Sequence, residues 1–349
     1  MAIVRRSNIQ TLLPLLLTLL PARSIQAESL IPPGPGFYRV PIPEARCGDG
    51  SPYSVYVQRG NSAKTLLHFQ GGGACWNRST CFGTVPFTQL GFRGLGGILG
   101  PHLEGNPFLD HTYVFLPYCT GDFFVGNHHA VYGGRPVLHE GRLNVTKTLA
   151  HLRTVLPGIE ADTKDLVVYG ESAGALGAIV NLDQIDAAFP AAERKLVAPD
   201  SPGLHFGDSL FDRFTQAYLD DIVYALEENG FEVNLSTGLL APQVRNFCRR
   251  HATWKVGVLQ STQDIVMSTL FGRLTTLQHR VRVLGKQGIY RQTRDPSDNC
   301  SAWVPESTRH VFANTNHGWN KETWDGVSAG DFIRRLYRSD ITGFQPSHH

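Results

Sequence analysis

Several things are missing from this 349-residue chain. Its six cysteines include no C-x2-C pair, and no glycine run is followed by Gly-Lys-Ser/Thr. The first absence removes the usual zinc-ribbon and zinc-finger spacings, and the second removes a Walker-type phosphate loop. No block of 20–50 residues repeats and no low-complexity tract occurs, which excludes a solenoid. No apolar run reaches the length needed to cross a bilayer. Charged residues make up only 18% of the chain against 42% apolar, the balance of a folded globule rather than a disordered one. There is no basic excess: 32 Lys and Arg face 30 Asp and Glu. Nothing here suits electrostatic binding to nucleic acid.

What is present begins with a targeting segment. Arg5 and Arg6 precede the short apolar core IQTLLPLLLTLLPA, which is interrupted by Pro14, and SIQA ends on the small residue Ala27, with Ala22 a second cleavage point. This pattern is that of a secretory signal peptide. It predicts removal of residues 1–27 and a single domain over 28–349, with no stable membrane anchor after cleavage. Cleavage would take Arg5, Arg6 and Arg23 and no acid, which leaves a net charge of −1. The expected location is extracellular, or periplasmic in a bacterial host. In such a compartment an even cysteine count implies three disulfides. Cys75 and Cys81 are close enough to close a local loop; Cys47, Cys119, Cys248 and Cys300 leave the other pairings open. Asn77, Asn144, Asn234 and Asn299 each begin a glycosylation sequon.

Strand and helix patterns alternate along the rest. SPYSVYVQRG and KTLLHF are predicted strands joined by a Gly60–Asn61 turn, and HTYVFLPYC, KDLVVYG, RKLVAPD, TWKVGVLQ and RHVFA are predicted as further strands. Between them, LNVTKTLAHLRTVLP places Val145, Leu149, Leu152 and Leu156 on one helical face. ALGAIVNLDQIDAAF, the insertion DSLFDRFTQAYLDDIVYALEENG and AGDFIRRLYRSD are also helical. The alternation predicts an α/β fold: a mostly parallel sheet, helices on both faces, and loop and helix insertions. In such sheets the chemistry sits in loops after the carboxyl ends of strands.

Those loops hold the candidates. KTLLHF is followed by Gln70-Gly71-Gly72-Gly73, where missing Cβ atoms let backbone N–H groups approach an oxyanion. DLVVY is followed by Gly170-Glu171-Ser172-Ala173-Gly174, a G-x-S-x-G in the strand–turn–helix context of a nucleophile elbow. Asp200 follows RKLVAP and Asp264 follows WKVGVLQ; both could serve as the acid, with Asp264 preferred because its strand comes later. His317, in NTNHGWN after RHVFA, completes the order Ser172, Asp264, His317 found in α/β-hydrolases. His128 and His129 are weaker candidates for ligand or metal contact and read more simply as loop residues. The glycine-dense stretch GFRGLGGILG (91–100) reads as a mobile loop near the site.

Six stretches, in order over about residues 45–320, together resemble one family, the pectin acetylesterases and Notum-type carboxylesterases. They are LHFQGGGACWNRSTC, LPYCTGDFFVGN, YGESAGALG, VAPDSPGLHF, STQDIV and NTNHGW. The resemblance implies Ser172 as nucleophile, His317 as base and Asp264 as acid. It implies an oxyanion hole from the N–H groups of Gly72, Gly73 and Ala173, bridges Cys75–Cys81 and Cys47–Cys119, and hence Cys248–Cys300. It also implies a secreted serine carboxylesterase that needs no metal or cofactor. The expected substrate is an O-acetylated polysaccharide such as pectin. The alternatives are Notum-like removal of a fatty acyl ester from a protein or lipid, acyl transfer on the same triad, and an inactive carbohydrate-binding homologue. The chain departs from the family pattern at Gln70, at Trp76, which follows Cys75 rather than preceding it, and at Ala175.

Overall fold

A computed structural model describes residues 29–83, 96–100, 103, 105–295 and 299–338. The signal-peptide expectation and the first half of the glycine-dense stretch lie outside these residues. Ten strands are described: β1 (Tyr38–Arg46), β2 (Pro52–Gln58), β3 (Asn61–Phe69), β4 (His111–Leu116), β5 (His128–Tyr132), β6 (Arg135–His139), β7 (Asp165–Glu171), β8 (Arg194–Asp200), β9 (Lys255–Leu259) and β10 (Cys300–Trp303). Eight form one sheet in the order β1-β2-β4-β3-β7-β8-β9-β10. Only β1–β2 and β2–β4 are antiparallel; the pairs from β4 through β10 are parallel. β5 and β6 form a separate hairpin.

Both faces of the sheet are buried, which explains why its central strands read as unbroken apolar runs rather than alternations. In β7, Leu166 and Val168 enter one core cluster while Val167 and Tyr169 enter the other. The first cluster takes Val145, Leu149 and Leu152 of the helix Gly141–Val155; the second takes Phe332, Ile333 and Leu336 of the helix Ala329–Tyr337. Fully burying side chains of this size contributes roughly 1.5–3 kcal/mol each. The fold is thus the expected α/β-hydrolase-like sheet with helices on both faces. Three disulfides, Cys47–Cys119, Cys75–Cys81 and Cys248–Cys300, tie its loops.

Three local expectations are corrected. β2 and β3 are joined at Gly60 but do not pair, because β4 lies between them. Gly60 is held against β4: its N–H donates to Thr112 Oγ1, and a Cβ there would meet the His111 carbonyl at 2.4 Å. The predicted helix from Ala175 breaks at Asn181 into Ala173–Val180 and Leu182–Ala188, where the Asn181 side chain donates to the Gly177 and Phe124 carbonyls. RHVFA is not a strand. Val311 N–H donates to Ser201 Oγ, and the N–H groups of Phe312 and Ala313 both donate to Asp200 Oδ2, so these three donors are taken from a ladder. The last strand is Cys300–Trp303, beside β9.

The Gly96–Gly100 part of the glycine-dense stretch is pinned rather than loose. Ile98 is buried and its N–H donates to the Ala313 carbonyl, while Gly97 N–H donates to Asn316 Oδ1. Two of the sequon asparagines are occupied: Asn144 bridges the backbone of Arg46, and Asn299 donates to the His251 and Trp254 carbonyls. Asn77 and Asn234 are exposed. Among the described residues no helix is long and apolar enough to cross a membrane.

Candidate active site

Ser172 stands where β7 turns into the helix Ala173–Val180, with φ 55° and ψ −121°. A serine in that region is strained, and such strain persists only where the surroundings enforce it. Here glycines permit it. A Cβ on Gly170 would lie 2.1 Å from the Gly174 carbonyl oxygen, and one on Gly174 would lie 2.1 Å from that of Phe69. Both small positions of the G-x-S-x-G pattern are therefore required for strand and helix to pass.

A cleft of about 570 Å3 opens at the carboxyl ends of the parallel strands. Ser172, the Gln70–Ala74 loop, Trp76, Phe271 and His310 line it. Asp264 is fully buried beneath. Its Oδ2 accepts a hydrogen bond of 2.8 Å from His310 Nδ1, and its Oδ1 accepts from the N–H groups of Val266 and Met267 at 3.0 Å each. With Nδ1–H committed to the carboxylate, the neutral His310 ring carries its lone pair on Nε2. That buried nitrogen has no partner among the described residues.

His317 is placed differently from the expectation. It lies exposed on the short helix Asn316–Trp319 and makes no hydrogen bond to Asp264. The structure thus brings Ser172 and Asp264 together with His310, and His317 stands outside. His310 follows β10, so the three side chains occur in the chain order Ser172, Asp264, His310. His310 is the first histidine after β10, and it lies inside RHVFA, the segment whose composition predicts a strand.

Asp200, the rival acid, is fully buried, and the hydrogen bond of His310 Nδ1 goes to Asp264 instead. Its carboxylate holds the N–H groups of Phe312 and Ala313 and so anchors the loop that carries His310. Burial pushes its pKa up to about 6, against the lowering effect of those two donors.

The N–H groups of Gly72, Gly73 and Ala173 have no protein acceptor among the described residues, as an oxyanion hole requires. The neighbouring Gly71 N–H is different: it donates to Glu171 Oε1. Glu171 Oε2 in turn meets His68 Nε2, whose Nδ1 meets the Tyr113 hydroxyl. This chain ties the glycine loop to the residue just before the nucleophile. Tyr118 braces the loop's other end through its hydroxyl to the Gly73 carbonyl, and a Cβ on Gly72 would strike the Tyr118 ring. Glu171 and His68 escaped sequence reasoning because only the β3–β7 pairing makes them neighbours.

Behind Ser172 runs a slot of only about 10 Å3, walled by Phe123, Leu176, Phe206, Met267 and Phe271. It has room for about one water-sized group. His128 and His129 sit on the β5–β6 hairpin and bond to Asp221 and Glu140. Among the described residues no group of three or more His, Cys, Asp or Glu side chains is arranged to hold a metal.

The family model of pectinacetylesterases matches residues 39–227, more than half of the chain. The palmitoleoyl-protein carboxylesterase notum2 of Xenopus laevis is 27% identical over 155 residues, 40% of this chain and 30% of its own length. Pectin acetylesterase 11 of Arabidopsis thaliana is 27% identical over 191 residues, 51% of this chain and 48% of its own. The palmitoleoyl-protein carboxylesterase NOTUM of Drosophila melanogaster is 30% identical over 174 residues, 43% of this chain and 24% of its own. The chain thus aligns with about half or less of the length of these relatives.

Proposed function

Because the chain belongs to the pectinacetylesterase family, we propose that it is a secreted serine carboxylesterase that removes O-acetyl groups from a polysaccharide. His310 Nε2 takes the Ser172 proton as Oγ attacks the ester carbonyl, and Asp264 holds the ring in the tautomer that leaves Nε2 free. The N–H groups of Gly72, Gly73 and Ala173 receive the oxyanion. Collapse of the tetrahedral intermediate breaks the bond to the sugar oxygen, which takes the proton from His310 Nε2 and leaves as a hydroxyl. Water then attacks the acyl-serine by the reverse proton path and releases acetate. The Asp264–His310 bond below the elbow carries the triad assignment.

The size of the slot supports the acetyl reading. A methyl group fits the space among Phe206, Met267 and Phe271, whereas a fatty chain needs those side chains to move apart. The alcohol part of the ester lies in the wide cleft instead. Initial rates on p-nitrophenyl esters from acetate to palmitate, with acetate release from acetylated pectin and xylan, test this. We expect activity to fall by about tenfold or more from acetate to octanoate, since overpacking a closed site is costly. All of it should be absent in Ser172→Ala. A long-chain optimum would move the reading to fatty-acyl removal, and the absence of any Ser172-dependent turnover would leave a binding protein.

A further inference from the structure

The G-x-S-x-G elbow leaves the residue before its serine unspecified. Here that residue is an acid, Glu171, buried at the wall of the cleft beside the nucleophile. Burying a carboxylate is costly unless its oxygens are hydrogen-bonded. Both oxygens of Glu171 are engaged, each by a different element. Oε1 accepts the Gly71 N–H at 3.1 Å, and Oε2 meets Nε2 of His68 on β3. His68 is fixed in turn. Its Nδ1 meets the hydroxyl of Tyr113 on β4, and the rings of Phe115 and Tyr169 stand edge-on to it, at centroid distances of 5.0 and 4.8 Å. The Glu171 carboxylate is thus held by a buried scaffold spread over three adjacent strands, β4, β3 and β7.

The loop it holds has the most freedom to lose, since glycine gives up more backbone entropy on ordering than any other residue. Two hydrogen bonds tie the triplet down: Gly71 N–H to Glu171, and the Tyr118 hydroxyl to the Gly73 carbonyl. Between these ties lie the N–H groups of Gly72 and Gly73, which have no protein acceptor among the described residues. Gly71 also rests directly on the elbow. A Cβ there would come 2.6 Å from the Glu171 carbonyl oxygen and 3.0 Å from Ser172 Cβ. One residue therefore sets the glycine loop and the nucleophile relative to each other. The backbone of Glu171 leads into Ser172, and its side chain holds Gly71.

We propose that Glu171, oriented by His68, is a positioning residue for the oxyanion hole: it fixes the Gly72 and Gly73 N–H groups where the tetrahedral intermediate on Ser172 needs them. The inference rests on the serine-esterase reading above. Glu171 acts through Gly71 and takes no part in proton transfer. An oxyanion hole is complementary to the transition state rather than to the ground-state ester. Loosening the loop therefore lowers kcat and leaves KM nearly unchanged.

The test uses p-nitrophenyl acetate and two substitutions of one side chain. Glu171→Leu keeps the bulk and removes the acceptor, whereas Glu171→Gln keeps an oxygen for the Gly71 N–H. We expect Glu171→Leu to lower kcat by about 10–100-fold with KM within about twofold, and Glu171→Gln to keep kcat within about fivefold of the wild type. Methylboronic acid forms a tetrahedral adduct on a serine hydroxyl and places an oxygen in the hole. Its affinity for Glu171→Leu should fall by a factor that follows kcat. His68→Phe leaves the acid but removes the partner of Oε2; it should lower kcat by about tenfold, and it carries the test if Glu171→Leu fails to fold. An unchanged kcat in the folded variants overturns the proposal, as does a loss confined to KM or a boronate affinity that stays at the wild-type value. The wild type is measured first. No Ser172-dependent turnover there would overturn the esterase reading and this one with it, whereas failure of the positioning role alone shows only in the variants.

Discussion

His310→Ala should lower kcat for ester hydrolysis by about 10^4-fold or more, as far as Ser172→Ala does, and the double variant should fall no further. Nucleophile and base act as one unit, so removing either removes the same step. His317→Ala should stay within about twofold of the wild type. The reasons lie in the two environments. His310 lines the Ser172 cleft, its Nδ1 is held by a buried carboxylate, and its Nε2 is unpartnered. His317 is exposed on a four-residue helix, with no acceptor among the described residues to fix its tautomer. Steady-state rates on p-nitrophenyl acetate, with circular dichroism to confirm folding, measure both. A large loss in His317→Ala with His310→Ala active would return the base to His317 and require the loop to rearrange.

The contrast shows which parts of the site could be read from the chain. The elbow was legible because its requirements are local: a buried strand, a glycine on each side of Ser172, and a helix beginning at once. The position of Asp264 in the candidate site was legible for a similar reason, as it closely follows a buried apolar strand. The histidine was not. RHVFA has the β-branched and aromatic composition of a strand, yet the N–H groups of Val311, Phe312 and Ala313 are taken by Ser201 and Asp200, more than 100 residues earlier. The true last strand, CSAW, is four residues long and is paired only along β9. β1 escaped because Pro41 and Pro43 weaken its strand pattern, which an edge position tolerates. The Glu171–His68 contact likewise depends on partners that only the fold brings together.

Asp264→Asn should lower kcat by about 10^3–10^4-fold, whereas Asp200→Asn should cost less than about tenfold. The difference follows from where the backbone donors sit. Val266 and Met267 N–H both point at Asp264 Oδ1, so an asparagine must keep its carbonyl oxygen there and turn its NH2 toward His310. That NH2 donates to Nδ1, the ring proton moves to Nε2, and the base is lost with the geometry intact. At Asp200 the two donors converge on Oδ2, and an amide oxygen can still accept both and hold the loop. The pH dependence separates the two residues further. The folded-state pKa of Asp200 is raised to about 6, above the roughly 3.9 of an exposed aspartate. The folded protein therefore binds the extra proton, and this contribution to stability is present in acid and is lost as pH rises from about 4 to 6. Asp200→Asn should remove that slope, flattening thermal stability across this range, while Asp264→Asn should leave the Asp200 slope in place. Rates and melting curves between pH 4 and 8 read both effects, and a greater loss of kcat in Asp200→Asn than in Asp264→Asn would transfer the acid's role to Asp200.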